Sequence, residues 1–131
     1  MRILHLDLGR EMRGGQWQAL RLVRGLDDRG HRAVLMARAG QGQAFSIGRL
    51  LAGYRRFDLI HAHDARSHTL AALLPGRPPL VVARRVGFPV GPGWASRWKY
   101  GRCAHFIAVS EYVKARLLEA GIDEERISIV A

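Results

Sequence analysis

Cysteine occurs once in the 131 residues, at Cys103, so no disulfide can form within the chain and the fold rests on burial. Long apolar runs are missing as well. No uncharged stretch approaches the roughly 18 residues of a membrane span, and the first apolar run, residues 3–8, is too short and too polar in its flanks for a signal peptide. Repeats, low-complexity tracts and internal linkers are absent, which excludes solenoids and arrays. Acidic residues are scarce in the middle of the chain: residues 29–110 carry thirteen basic groups against Asp58 and Asp64, a net of +11. Residues 1–28 carry a net of +1 and residues 111–131 a net of −2, for +10 overall.

What is present suits one compact domain. The 48% hydrophobic content and this length bury about two-thirds of the unfolded surface without a metal or disulfide staple. The expectation is a soluble, cytoplasmic domain. Nineteen of the twenty-one basic residues are arginine, and a cationic middle favours phosphate, acidic glycan, anionic lipid or nucleic acid. A solvated arginine-rich surface gives the same count.

Short apolar runs alternate with helical patterns throughout. Strands are expected at residues 2–8, 32–37, 58–62, 80–83, 105–109 and 126–130, and helices at 16–26, 45–54, 67–74, 95–100 and 111–120. Ala19, Leu22, Val23 and Leu26 share a face of the first helix, and Ile47, Leu50 and Leu51 a face of the second. Gly30, Pro75-Gly76 and Gly121 read as terminators, and Ser110 as the N-cap of the last helix. Near-continuous apolar strands between helices predict a Rossmann-like, doubly wound parallel α/β sheet of about six strands, with helices on both faces. Such a domain more often finishes on a covering helix than on a strand.

In such sheets ligands bind beyond the carboxyl ends of the strands. After the first strand, Gly9 and Gly14 imitate the spacing of a P-loop, but Gly15-Gln16 stands where Lys-Ser/Thr is needed; the dinucleotide fingerprint G-x-G-x-x-G is absent too. What remains is Gly14-Gly15 at a helix N-terminus with Arg13 beside it, an anion site or a plain tight turn. After the third strand come His61, His63 and Asp64, with His68 beyond. Strand alternation puts His61 and His63 on one side, His63 nearer the open end and His61 buried. The metal pattern H-x-H-x-D-H fails at Ala65 and Arg66, so no metal is expected. His63 suits donation to a substrate oxygen or proton handling. After the fourth strand, Arg84 and Arg85 suit bidentate recognition of carboxylate or phosphate. Trp94, Arg97, Trp98, Lys99, Tyr100 and Arg102 form a basic-aromatic cluster that fits an anionic bilayer or simply covers the sheet; no nucleic-acid recognition motif is present.

In order and spacing, the chain resembles the N-terminal domain of a GT-B glycosyltransferase of family 4 (group 1). The resemblance rests on Met1-Arg-Ile-Leu-His5, Arg13-Gly14-Gly15, Phe57-Asp-Leu-Ile-His-Ala-His63, Arg84-Arg-Val-Gly-Phe-Pro89, Phe106-Ile-Ala-Val-Ser110-Glu111-Tyr-Val, Gly121 and Arg126-Ile-Ser-Ile-Val130. It implies one half of a GT-B fold, residues 1–131 forming the acceptor-side domain, with a donor-binding C-terminal domain lying outside this chain. It implies a retaining transfer from a nucleotide-sugar to a lipid-linked or polysaccharide acceptor, in cell-envelope polysaccharide biosynthesis, with no cofactor. Gly14, Gly15 and Arg13 would lie beside the donor diphosphate, and Ser110 and Glu111 at the cleft near the domain junction. His63, Arg84 and Arg85 would line the acceptor side, His63 and Arg85 acting in catalysis. Many members carry a histidine where this chain has Arg84-Arg85. Glu111 and Glu119 match the family's E-x7-E by number but sit on the wrong domain.

Three functions follow as expectations. The first is this acceptor-side domain, peripheral at the inner face of the membrane, inactive alone and prone to self-association. The second is a free-standing basic module for anionic lipid or glycan. The third is a metal-dependent hydrolase at His61, His63 and Asp64.

Overall fold

The computed structural model describes residues 1–8, 14–37, 43–84 and 94–130, the side chains of residues 14–20, 43–44, 84 and 94–96 excepted. Seven parallel strands form one sheet: β1 (Arg2–Asp7), β2 (Arg32–Ala37), β3 (Gln43–Ala44), β4 (Leu59–Ala62), β5 (Leu80–Arg84), β6 (His105–Ala108) and β7 (Ile127–Ile129). Their order is β3-β2-β1-β4-β5-β6-β7. Six of them are the strands expected from the apolar runs. The seventh, β3, is a two-residue edge pairing with Met36 and Ala37, too short to leave a periodic signal. Five helices connect them: α1 (Gly14–Asp28), α2 (Ile47–Gly53), α3 (Ala65–Leu73), α4 (Trp94–Gly101) and α5 (Glu111–Glu119).

Helices lie on both faces of the sheet, and among the described residues the two faces are unequal. Side chains alternate across each strand. Leu4, Leu6, Met36, Ile60, Ala62, Leu80, Val82, Phe106 and Ala108 all point to one face, where Leu50 of α2, Ala71 and Ala72 of α3 and Val113 and Leu117 of α5 bury them in a single core. On the other face a small cluster of Val23, Leu35 and Ala37 seats α1 on β2. Further along that second face Val81, Ala83, His105 and Ile107 stay half-buried and Ser128 is exposed. The same face carries the buried polar groups His5, Asp7, His61 and His63.

Local chemistry sets the helix ends. Ser46, Asp64 and Ser110 adopt extended backbone and cap α2, α3 and α5 through their side-chain oxygens. Gly30 and Gly121 end α1 and α5 at φ +85° and +88°, the left-handed region that only glycine enters without cost. The amphipathic expectations fail in part: on α1 Val23 is buried but Leu22 is 38% exposed. On the seven-residue α2 only Leu50 is buried, while Ile47 and Leu51 are 52% and 56% exposed. So short a helix turns one side chain inward and leaves its neighbours out.

Candidate functional site

From β1 the chain winds to β2 and β3 on one side, then crosses back to place β4 on the other side of β1. The crossing makes β1/β4 the switch point, where a crevice opens beyond the strand ends. His5 on β1 is paired in register with His61 on β4. His63 follows β4 directly and its backbone N–H donates to Leu6 O at 3.0 Å. The three imidazoles form one buried cluster, with ring centroids 5.2 Å (His5–His61), 5.2 Å (His5–His63) and 4.1 Å (His61–His63, stacked).

His5 Nδ1 and His63 Nε2 share a hydrogen bond of 2.9 Å. Burial depresses His5 from 6.5 to about 4, the Asp27 carboxylate opposing only weakly. The His5 ring is therefore neutral at neutral pH, and its Nε2 has no hydrogen-bond partner among the described residues. A neutral, locked ring on β1 fixes the orientation of His63 at the mouth of the crevice.

Each ring of the cluster offers one nitrogen within 4.8 Å of the others, which makes His5, His61 and His63 the candidate metal-holding group among the described residues. Tetrahedral ligands about 2.0 Å from a zinc ion stand roughly 3.3 Å apart. The His5–His63 spacing is that of a hydrogen bond, and an ion would have to break it. The hydrolase set His61, His63 and Asp64 is not assembled, which corrects that reading. Asp64 Oδ1 instead accepts from Ser67 N and Leu8 N, each at 3.2 Å, capping α3 and tying it to the end of β1.

The remaining expected residues fall on the same edge of the sheet or outside the described residues. Gly14 and Gly15 are the first two residues of α1, so their N–H groups belong to the helix terminus that attracts anions. Arg84 ends β5, paired with Ala108. Ser110 begins α5, and its Oγ accepts from Val113 N at 3.2 Å. Glu111 is exposed in the first turn of that helix. Arg13, Arg85 and the side chain of Arg84 lie outside the described residues.

The basic-aromatic segment divides. Tyr100 turns inward, stacked on Phe106 at 5.5 Å and edge-on to the buried His68 at 5.0 Å. Arg102 Nε donates to Ala72 O at the end of α3, and its guanidinium lies 5.0 Å from the ring centre of Trp98, which is 41% exposed. Lys99 Nζ donates to Ala65 O. Part of the cationic count therefore serves carbonyl groups at helix ends. Cys103 is buried, its thiol pushed up to about 11 by burial, and is no nucleophile at neutral pH. The group missed from sequence is His5. Alternation within one strand pairs His61 with His63, but only the β1/β4 register brings in a third ring.

Comparison with known proteins narrows the chemistry. The sequence profile described as Glycosyltransferase Family 4 matches residues 42–131. No curated protein matches the chain by sequence. Among solved structures, Anabaena HepE in complex with UDP-glucose superposes with a TM-score of 0.75 at 18% identity, covering 99% of this chain and 43% of that one. The lipopolysaccharide outer core galactosyltransferase WaaB, in its apo form, gives 0.65 at 13% identity, covering 98% and 44%. The UDP-GlcNAc 2-epimerase of Methanocaldococcus jannaschii gives 0.65 at 13%, covering 98% and 45%. Identities this low establish the fold, half of the GT-B architecture. The chain spans less than half the length of each of these structures.

Proposed function

The chain belongs to glycosyltransferase family 4, and from that premise we propose that it is the acceptor-side domain of a retaining enzyme. The enzyme moves a sugar from a nucleotide-sugar to a lipid-linked or polysaccharide acceptor of the cell envelope. The donor-binding domain is a separate unit, so residues 1–131 bind donor weakly and transfer nothing alone. The protein works in the cytoplasm, peripheral at the inner face of the membrane. The observation that carries the reading is that the carboxyl ends of the parallel strands β1, β4, β5 and β6 lie along one edge of the sheet. That edge holds the α1 N-terminus and the His5–His63 pair at the switch point.

In the transfer, the bond from the anomeric carbon to the diphosphate oxygen breaks and the acceptor oxygen takes its place on the same face. The acceptor hydroxyl proton leaves with the diphosphate. Negative charge grows on that leaving group, where the Gly14 and Gly15 amides at the α1 N-terminus and the Arg13 guanidinium stabilise it. These groups take the part a metal would otherwise play. His63, held by His5, orients the acceptor hydroxyl, and Arg84 and Arg85 take anionic groups of the acceptor. Ser110 and Glu111 sit where the second domain closes. HepE has been solved with UDP-glucose, which supports a nucleotide-sugar donor here.

The test incubates the full-length enzyme with a panel of nucleotide-sugars and reads the product anomer by NMR. Retention is expected, and an inverted product overturns the retaining mechanism. Arg85→Ala and His63→Gln should each lower kcat/KM by about 100-fold, within the range for positioning groups. Unchanged kinetics in both variants would remove them from the site.

A further inference from the structure

On the opposite face of the sheet from the histidine cluster, a pocket of about 460 Å³ opens between α2 and the strands β1 and β2. Its size falls in the range of small-molecule sites. Its floor is apolar, made of Leu4, Val34 and Met36, of which Leu4 and Met36 are buried and Val34 is half-buried. Its rim carries Arg2, Arg32, Arg49 and Arg56, all exposed. None of these four is seen in an ion pair among the described residues, unlike Lys114 with Glu124 and Arg116 with Glu119. Arg55, by contrast, is occupied: it donates to Pro75 O and lies over the Tyr54 ring. The nearest carboxylate in sequence, Asp58, accepts the backbone N–H of Arg2. Residues 29–57 contain six arginines and no acid.

Beside the pocket stand Ile47 and Leu51, four residues apart on α2 and more than half exposed. Aliphatic side chains projecting from a purely basic segment, next to an apolar pocket ringed by guanidinium groups, match an interface that is hydrocarbon below and phosphate above. A soluble phosphate would explain the arginines but not the exposed aliphatics. We infer that this pocket and the outer side of α2 seat the protein on a bilayer containing anionic phospholipid. The four arginines take lipid phosphates, and Ile47 and Leu51 enter the interface. The inference deepens the peripheral localisation proposed above and does not depend on the transfer chemistry.

Vesicle co-sedimentation without any nucleotide-sugar tests it, so failure here leaves sugar transfer standing. The full chain should sediment with phosphatidylcholine vesicles that contain phosphatidylglycerol, and not with phosphatidylcholine alone. Arg49→Glu with Arg56→Glu should weaken binding roughly tenfold or more, and the milder Arg49→Gln with Arg56→Gln should follow in the same direction. Ile47→Ser with Leu51→Ser should weaken it several-fold. Arg21→Glu, a charge reversal on the exposed side of α1 on the other face of the sheet, should change it little. Circular dichroism melting checks that each variant is folded. The proposal is overturned by no sedimentation with anionic vesicles, or by an equal loss in Arg21→Glu. It is also overturned if inorganic phosphate displaces the vesicles while Ile47→Ser with Leu51→Ser binds as before, which would mark a free-anion pocket.

Discussion

The His5 ring couples the site to acidity. Folded, it takes a proton only near pH 4; unfolded, it takes one already near 6.5. Below 6.5 the unfolded chain therefore binds the extra proton. Stability that is fully present above 6.5 is lost as pH falls towards 4, by roughly 3 kcal/mol at most. Urea unfolding at pH 7 and pH 4.5 should show this loss. His5→Asn, which keeps a polar atom near Nδ1 and does not titrate, should flatten the dependence over that window. A variant as acid-sensitive as the wild type would place the sensitivity elsewhere. At this scale the sequence was only partly legible. His61 and His63 announce themselves by strand alternation. His5 does not, because its partner lies 58 positions away and only the pairing of β1 with β4 reveals it. Asp64 looked like a ligand beside two histidines, yet its position one residue before α3 makes it a cap, and the backbone N–H groups of Ser67 and Leu8 claim its oxygen.

Helix ends are where local sequence speaks most clearly. Ser110 and Gly121 frame α5 as their residue types predict, because capping needs only a short polar side chain at one end and a free φ at the other. Nothing stands within 4 Å of a Cβ built on Gly121, so Gly121→Ala is strained by its backbone alone and should cost about 1 kcal/mol. Asp64→Ala removes a cap and a link to β1 together and should cost about 2 kcal/mol. Thermal melts of the two variants should rank them in that order; the reverse order would mean that the Asp64 bonds are replaced by water. α2 was the least legible helix. Its apolar residues suggest one buried face, but seven residues make barely two turns, and the sheet receives only Leu50.

At the scale of the molecule, burial among the described residues is lopsided. Phe106 lies fully buried in the larger core, against Tyr100, and Val23 in the small cluster under α1. Phe106→Ala should destabilise by about 4 kcal/mol and Val23→Ala by about 1.5 kcal/mol, read from chemical denaturation. Equal losses would show that the α1 side is held as firmly as the other. The parallel, doubly wound class could be read from alternating apolar runs. The unequal faces could not, since alternation within a strand does not say which side a helix will cover. The strand order also has a temporal consequence. Residues paired between β1 and β4 are 56 apart in the chain, as Ile3 with Leu59, whereas Ile60 pairs with Leu80 across only 20. Closing the longer loop costs more chain entropy and comes after the nearer strands have met. The two halves of the sheet thus join late, at the seam where the histidines stand. Among the described strand pairs, the one that brings His5 beside His63 closes the longest loop, so the site is assembled by the entropically most costly pairing of the sheet.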